Sequence, residues 1–274
     1  MTLAIGNGDI VVNLGDGEIT LRWPALGITL GPCRAAAAAD GSRLESAGPG
    51  EWQVDGGSAA DRPGTWARWS PTASGVTMGV HVATEGPIAI VEAGVVATSS
   101  MTVDALTPLD GATDLRYERR LVDGYESWSY SGVRDDDAGS SFWNAAFVDE
   151  AQRALAIQAL DGRRFCTRIS NDAAHVHVDC GASPALQKVA GTWGYCAGET
   201  PSMHLPLGAG DTLRSAPIAV AADRDPLCLI EELASLAATA MKARRWTGPC
   251  CLSPPVRTRL NCWGQRGFTV TVAI

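Results

Sequence analysis

The chain has 274 residues, enough to bury a sizeable core as one large domain or two. Its 22 Lys and Arg against 30 Asp and Glu give a formal net charge of -8. With no basic block to follow a phosphate backbone, nucleic acid is excluded as a partner and an anionic membrane surface is disfavoured.

No uninterrupted apolar run is long enough to span a bilayer. The start, Met1 to Gly6, lacks the basic-then-apolar pattern of a secretory leader. The eight cysteines, at 33, 166, 180, 196, 228, 250, 251 and 262, form no CxxC pair. A zinc ribbon or thioredoxin motif is therefore not indicated, and free thiols in a reducing cytoplasm are expected. Nothing in the spacing calls for a cofactor.

In chain order, Ile10 to Leu14 and Glu18 to Trp23 alternate around Gly15-Asp16-Gly17, a hairpin signal. Ala35 to Ala39, between Pro32 and Gly41, reads as a strand or irregular segment of small residues rather than a helix. Trp52 to Val54 suggests a short strand. Thr65 to Trp69, Val76 to Val82 and Ile88 to Val96 are rich in β-branched residues and follow as strands. Met101 to Leu106 and Leu115 to Leu121 are expected to be extended, with Pro108 in the connection between them.

The middle of the chain carries Tyr125, Trp128 and Tyr130 within six residues, beside Gly124, Glu126, Ser127 and Ser129. An indole face with hydroxyls and a carboxylate at its rim suits a sugar ring. Burial in a sandwich core explains the aromatics as well. Arg134 to Ser141, with Asp135, Asp136 and Asp137 adjacent, lacks the alternate ligand spacing of a calcium loop and reads as a solvated acidic loop.

Leu155 to Leu160 and Phe165 to Ile169 flank Asp161-Gly162 as a second expected hairpin. His175 and His177 share one face of the next strand, with Asp179 and Cys180 close by. His-x-His can hold zinc. No third ligand stands at a clear spacing, so polar residues on a wet face are preferred and no metal is expected. After the strand-like run from Gly210 to Val220 the period changes. Asp225 caps a helix with Pro226 in its first turn and Leu229, Leu233, Leu236 and Ala240 as its apolar stripe. Glu231 and Glu232 lie early in it and Lys242, Arg244 and Arg245 at its end, as the helix dipole favours. Gly248-Pro249 and Pro254-Pro255 mark a linker before a last strand-like run, Gly267 to Ile274, which ends abruptly at an unpartnered edge.

Taken together, Val122-Asp123-Gly124-Tyr125-Glu126-Ser127-Trp128-Ser129 resembles the N-G-[YW]-Q-S-W-S motif in the N-terminal domain of glycoside hydrolase family 36, the α-galactosidases and their relatives. The later order is similar too: closing strands, a helix opening on Asp-Pro with an acidic pair, a Pro-containing linker, then Leu260-Asn261-Cys262-Trp263-Gly264 where the family opens its barrel. The resemblance covers about residues 115–264. Asp123 and Glu126 stand where the family has Asn and Gln, and Arg259-Leu260 where it has Gly-Trp.

The resemblance implies a mainly β chain. A large antiparallel β-sandwich spans 1–223, a linking α-helix 224–245, and a linker with the truncated first strand of a (β/α)8 barrel 246–274. Such a barrel takes about 250 residues, so the family's two catalytic Asp residues have no counterparts and the chain alone is expected to be inactive. Intact relatives hydrolyse α-galactosides with retention, using carboxylates about 5 Å apart. The resemblance assigns sugar contact to Trp128 and Trp263 and no catalytic residue. It implies a non-catalytic portion of an α-galactosidase-like enzyme, with an α-galactoside or related sugar as ligand. The family's sandwich often sits at oligomer interfaces, which leaves room for a homo-oligomer. The alternative is a freestanding carbohydrate-binding or assembly module.

Overall fold

A computed structural model describes residues 3–72, 75–122, 132–135, 138–183, 186–187 and 200–243. The first strands are β1 (Leu3–Gly6), β2 (Val11–Leu14), β3 (Glu18–Trp23), β4 (Ile28–Ala39), β5 (Ser42–Glu45), β6 (Gly50–Ala59) and β7 (Arg62–Pro71). Next come β8 (Val76–Ala83), β9 (Ile88–Val96), β10 (Met101–Thr113), β11 (Arg119–Val122), β12 (Gly132–Arg134), β13 (Ala138–Phe142) and β14 (Asn144–Val148). The last are β15 (Ala154–Ala159), β16 (Phe165–Asp172), β17 (His175–Ala182), β18 (Leu205–Leu207), β19 (Thr212–Arg214) and β20 (Ile218–Asp223), followed by helix α1 (Pro226–Ala240).

The strands form two antiparallel sheets. The first runs β1-β2-β3-β4-β10-β17-β16-β13, with β5 beside β4 and β18 beside β10. The second runs β12-β11-β14-β15-β20-β9-β8-β7-β6, with β19 beside β9. Strict alternation turns Ile19, Leu21 and Trp23 of the first sheet and Val80, Val91 and Phe147 of the second into one shared core. The other face of each sheet is free to carry polar groups, except where α1 covers the second. There Leu229, Leu233 and Leu236 pack on Ile90, Ala156 and Ala219. The expected mainly β, antiparallel architecture is therefore present.

The hairpin at Gly15-Asp16-Gly17 forms as its sequence directs. Gly17 has φ +72, and a Cβ there would lie 2.1 Å from the Ser46 carbonyl oxygen. Ser46 Oγ donates to Gly17 O (2.6 Å) and accepts from Ala35 N (2.9 Å), locking the turn to β4. The alanines at 35–39 are the end of that strand, and their small side chains let β4 meet β8 and β9 across the core.

Three sequence expectations need correction. Pro108 does not separate two extended segments: β10 runs through it, and Leu115 to Arg119 leads into the short β11. The register of β10 shifts between Thr107 and Asp110 against β4, and between Leu106 and Leu109 against β17. A bulge leaves an unpaired position that tolerates a residue without an N–H. Asp161-Gly162 does not close a hairpin. β15 belongs to the second sheet, between β14 and β20, and β16 to the first, between β17 and β13. Asp161 Oδ1 accepts from Arg163 N (3.0 Å) and Arg164 N (3.1 Å), an Asx turn that carries the chain across the sandwich edge.

The third correction concerns the helix ends. Neither the first nor the last turn of α1 carries the expected charge; Glu231 and Glu232 lie deeper, and Lys242 follows the last helical residue. The cap itself is as expected: Asp225 Oδ1 accepts from Leu227 N (3.1 Å) and Cys228 N (3.0 Å). Asp225→Ala should lower the urea midpoint at constant slope, because it takes away the side-chain acceptor of two first-turn N–H groups. An unchanged midpoint would mean that packing on the sheet alone holds the helix start. The expected barrel strand at 246–274 lies outside the described residues, which themselves contain no barrel element. No helix among the described residues is long and apolar enough to cross a membrane.

Candidate functional site at the edge hairpin

One edge of the second sheet is formed by β12, with β11 beside it. β11 pairs only with β12 and β14, with Val122 opposite Gly132. The nine-residue connection between them, 123–131, holds Tyr125, Trp128 and Tyr130 and lies outside the described residues, as does Trp263. The root of this hairpin is described, and it joins the two sheets.

Arg120 sits at that root with 3% exposure. Its Nη1 donates to Asn171 Oδ1 on β16 (2.9 Å), and its Nη2 donates to Ala138 O on β13 (3.0 Å). A Cβ at Gly139 would lie 2.7 Å from Nη2, so a glycine there lets the guanidinium through. Asn171 Nδ2 donates to the Tyr117 hydroxyl, which donates to Ala173 O at 2.5 Å. The Tyr117 ring packs on Phe147 with centroids 5.1 Å apart. A buried guanidinium is expensive to desolvate, and a hydrogen-bonded setting of this kind is what makes it tolerable. The result is a hydrogen-bonded root that ties β11 to β13 and β16 of the other sheet. Arg120 falls in a segment of imperfect alternation, so its inward orientation was not readable from the pattern.

The His-x-His pair lies elsewhere, on the outer face of the first sheet. His175 Nε2 is 2.6 Å from Asp110 Oδ1, and His177 Nδ1 is 3.3 Å from the same oxygen. His177 Nε2 is 2.9 Å from Asp179 Oδ1, and Asp179 also accepts from Thr107 Oγ1 (2.7 Å) and Thr200 Oγ1 (3.1 Å). Arg43 on β5 donates to the second oxygen of Asp110.

Burial alone would depress His177, but hydrogen bonds to Asp110 and Asp179 outweigh it and raise its pKa to about 9. The His177 hydrogen bond holds Asp110 far below the ordinary carboxylate range, against some burial. Burial pushes Asp179 up, but the His177 bond and charge prevail and lower it. A protonated imidazole between two carboxylates is an ion-pair relay, not a ligand set. Among the described residues no three of His, Cys, Asp and Glu are arranged to hold a metal ion. Asp110 was missed because it lies 65 residues before His175 and reaches it only through the β10–β17 pairing.

Other singled-out residues show no reactive setting. Burial raises the thiols of Cys33 and of Cys180, the latter to about 12, and both stay protonated. The expected loop from Arg134 to Ser141 is largely strand instead: Arg134 ends β12, and Ala138 to Ser141 belong to β13, with Ser141 buried; Asp135 is exposed, and Asp136 and Asp137 lie outside the described residues.

No protein-family model matches this sequence, and no curated protein matches it. Solved structures do match in fold. An α-N-acetylgalactosaminidase, NagBb from Bifidobacterium bifidum, aligns with TM-score 0.56 and 9% identity over 89% of this chain and 40% of its own. A β-arabinopyranosidase aligns with TM-score 0.54 and 7% identity over 81% and 40%. The GH36 α-galactosidase AgaB from Geobacillus stearothermophilus aligns with TM-score 0.52 and 8% identity over 86% and 42%. The chain thus spans about two-fifths of the length of these glycosidases and shares the fold of that part.

Proposed function

We propose that this chain is the non-catalytic sandwich portion of an α-galactosidase-like glycoside hydrolase, with sandwich, linking helix and barrel entrance at 1–223, 224–245 and 246–274. It contributes an aromatic wall, Trp128 with Trp263, to a sugar site whose carboxylates stand elsewhere. One observation carries this reading. The stretch that resembles the family motif is the connection of an edge hairpin, on a sandwich that shares its fold with part of several glycosidases. The Arg120 hydrogen bonds hold β11, the strand that leads into this stretch, to the opposite sheet.

The test is addition of galactose to the purified chain under tryptophan fluorescence, with a chromogenic α-galactoside assayed alongside. No turnover is expected, and a fluorescence change that disappears in Trp128→Ala. Turnover would place the catalytic carboxylates within these residues and end the proposal. A sugar response that survives Trp128→Ala would move the contact away from the hairpin.

A further inference from the structure

The strand β6 closes one end of the second sheet, and its only partner among the described residues is β7. The other strands with a single partner there, β1, β5, β12, β13, β18 and β19, are three to five residues long. Such short edges offer little to pair with. β6 has ten residues, and its register with β7 runs unbroken from Gly50 opposite Pro71 to Ala59 opposite Arg62. It carries none of the usual guards of an edge: no lysine, no proline and no bulge. Residues 53–58 are all exposed.

The two ends of the β6–β7 pair fix its backbone phase. Pro49 O accepts from Thr72 N, so the odd-numbered positions of β6 turn their polar groups towards β7. At the other end Pro63, opposite Ser58, gives its carbonyl to Thr84 N on the β8 side. The N–H and C=O groups of Trp52, Val54 and Gly56 therefore point to the open side of the sheet. Ser58 O is already taken by Trp66 Nε1 (3.3 Å). Trp52 packs on the core, and Val54 shares its face at 41% exposure. Gln53 and Asp55 lie on the other face, where an Asp55 oxygen is 4.0 Å from Arg68 Nη1.

We propose that β6 is a homodimer interface, in which two copies of this chain join their second sheets by antiparallel β6–β6 pairing about a two-fold axis at Val54. In such a contact the same strand serves both copies. Centred on Val54, its free groups meet those of the partner's Val54, and those of Trp52 meet the partner's Gly56. A Cβ at Gly56 would meet nothing within 4 Å, so the indole opposite has room. On the other face Gln53 stands opposite the partner's Asp55, an amide donor against a carboxylate. A centre at Gln53 would set Glu51 against the partner's Asp55, and a centre at Asp55 would set that carboxylate against its own copy. Like charges directly opposite are destabilising, and centres further out shorten the pairing. One strand pair buries less than the standard interface of about 1,600 Å², so the dimer is weak and concentration-dependent. The interface does not rest on the sugar reading given above.

Sedimentation velocity of the full chain over a loading series tests it, with amide exchange read alongside. The unaltered chain should pass from monomer to dimer as concentration rises, and the Val54 and Gly56 amides should gain protection in the dimer. Val54→Pro removes an outward N–H without breaking a bond to β7 and should abolish the dimer. Gln53→Glu should weaken it about tenfold at low salt, and Gln53→Lys should tighten it, because each change acts twice across the axis. Circular dichroism should show all three variants folded; Gln53→Glu, which alters no backbone group, carries the test if Val54→Pro unfolds. A monomer persisting at about 1 mM, or a dimer that Val54→Pro leaves intact, would overturn the interface. Protection of the same amides in a monomer would mean that another part of the chain covers this edge, and would overturn it as well. Dimerisation lost in Val54→Pro but indifferent to both Gln53 variants would refute the register about Val54.

Discussion

Trp23→Ala should remove about 3–5 kcal/mol of stability, from a total of about 5–15 kcal/mol for a folded domain. Trp23 is fully buried at the end of β3, where its ring fills the space between the sheets. Its Nε1 donates to Pro87 O at 2.7 Å, in the turn between β8 and β9 of the opposite sheet. One side chain therefore supplies apolar volume and a hydrogen bond across the sandwich. Truncation loses both, and leaves a cavity that two hydrogen-bonded sheets cannot collapse to fill. Trp23→Phe separates the contributions. It keeps most of the ring, leaves the Pro87 carbonyl unpaired, and should cost about 1–3 kcal/mol. Urea unfolding at constant slope is the measurement. A loss under about 1 kcal/mol in the alanine variant would mean that the core repacks and Trp23 is no tie between the sheets.

Raising the pH from 6 to 10 should remove about 2–3 kcal/mol through His177 alone. Its pKa is raised from 6.5 to about 9 in the folded chain. A raised pKa stabilises fully below the unfolded value and is lost as pH climbs through the folded one, so the loss falls between about pH 6.5 and 9. The side chain is 26% exposed, and solvent screening keeps the effect towards the lower figure. Asp110 and Asp179 act in the opposite sense, because their pKa values are lowered. Their contribution is present above the ordinary carboxylate value and is lost in acid. His177→Gln should flatten the alkaline limb in chemical denaturation at pH 6 and pH 10. If wild type and variant lose the same stability over that span, the relay contributes nothing to folding.

The local features of this fold were legible where a residue had a single use. Gly17 in the first hairpin and Asp225 at the helix cap announce their turns because no other backbone arrangement suits them as well. Pro108 misled because a bulge, which depends on two neighbouring strands, made room for it. Asp161-Gly162 misled because an Asx turn and a hairpin turn share a composition and differ only in which strands wait on either side. The His177 relay was illegible for a related reason. It is assembled by cross-strand register between residues far apart in the chain, and one sequence carries no record of register. Of the candidate site only the frame can be compared: the hairpin root lies among the described residues, while Trp128 and Trp263 do not.

The strand order has a consequence for how this chain reaches its native state. β10 of the first sheet is completed by β17, and β9 of the second by β20. Each sheet interleaves early and late strands, so a nascent chain holding only its first half has two open, unsatisfied edges. Closure waits until residue 223 has left the ribosome, and such distant pairings fold slowly and stay exposed to aggregation meanwhile. Neither half should be recoverable as an independent folding unit, and a break between β10 and β11 would split both sheets at once.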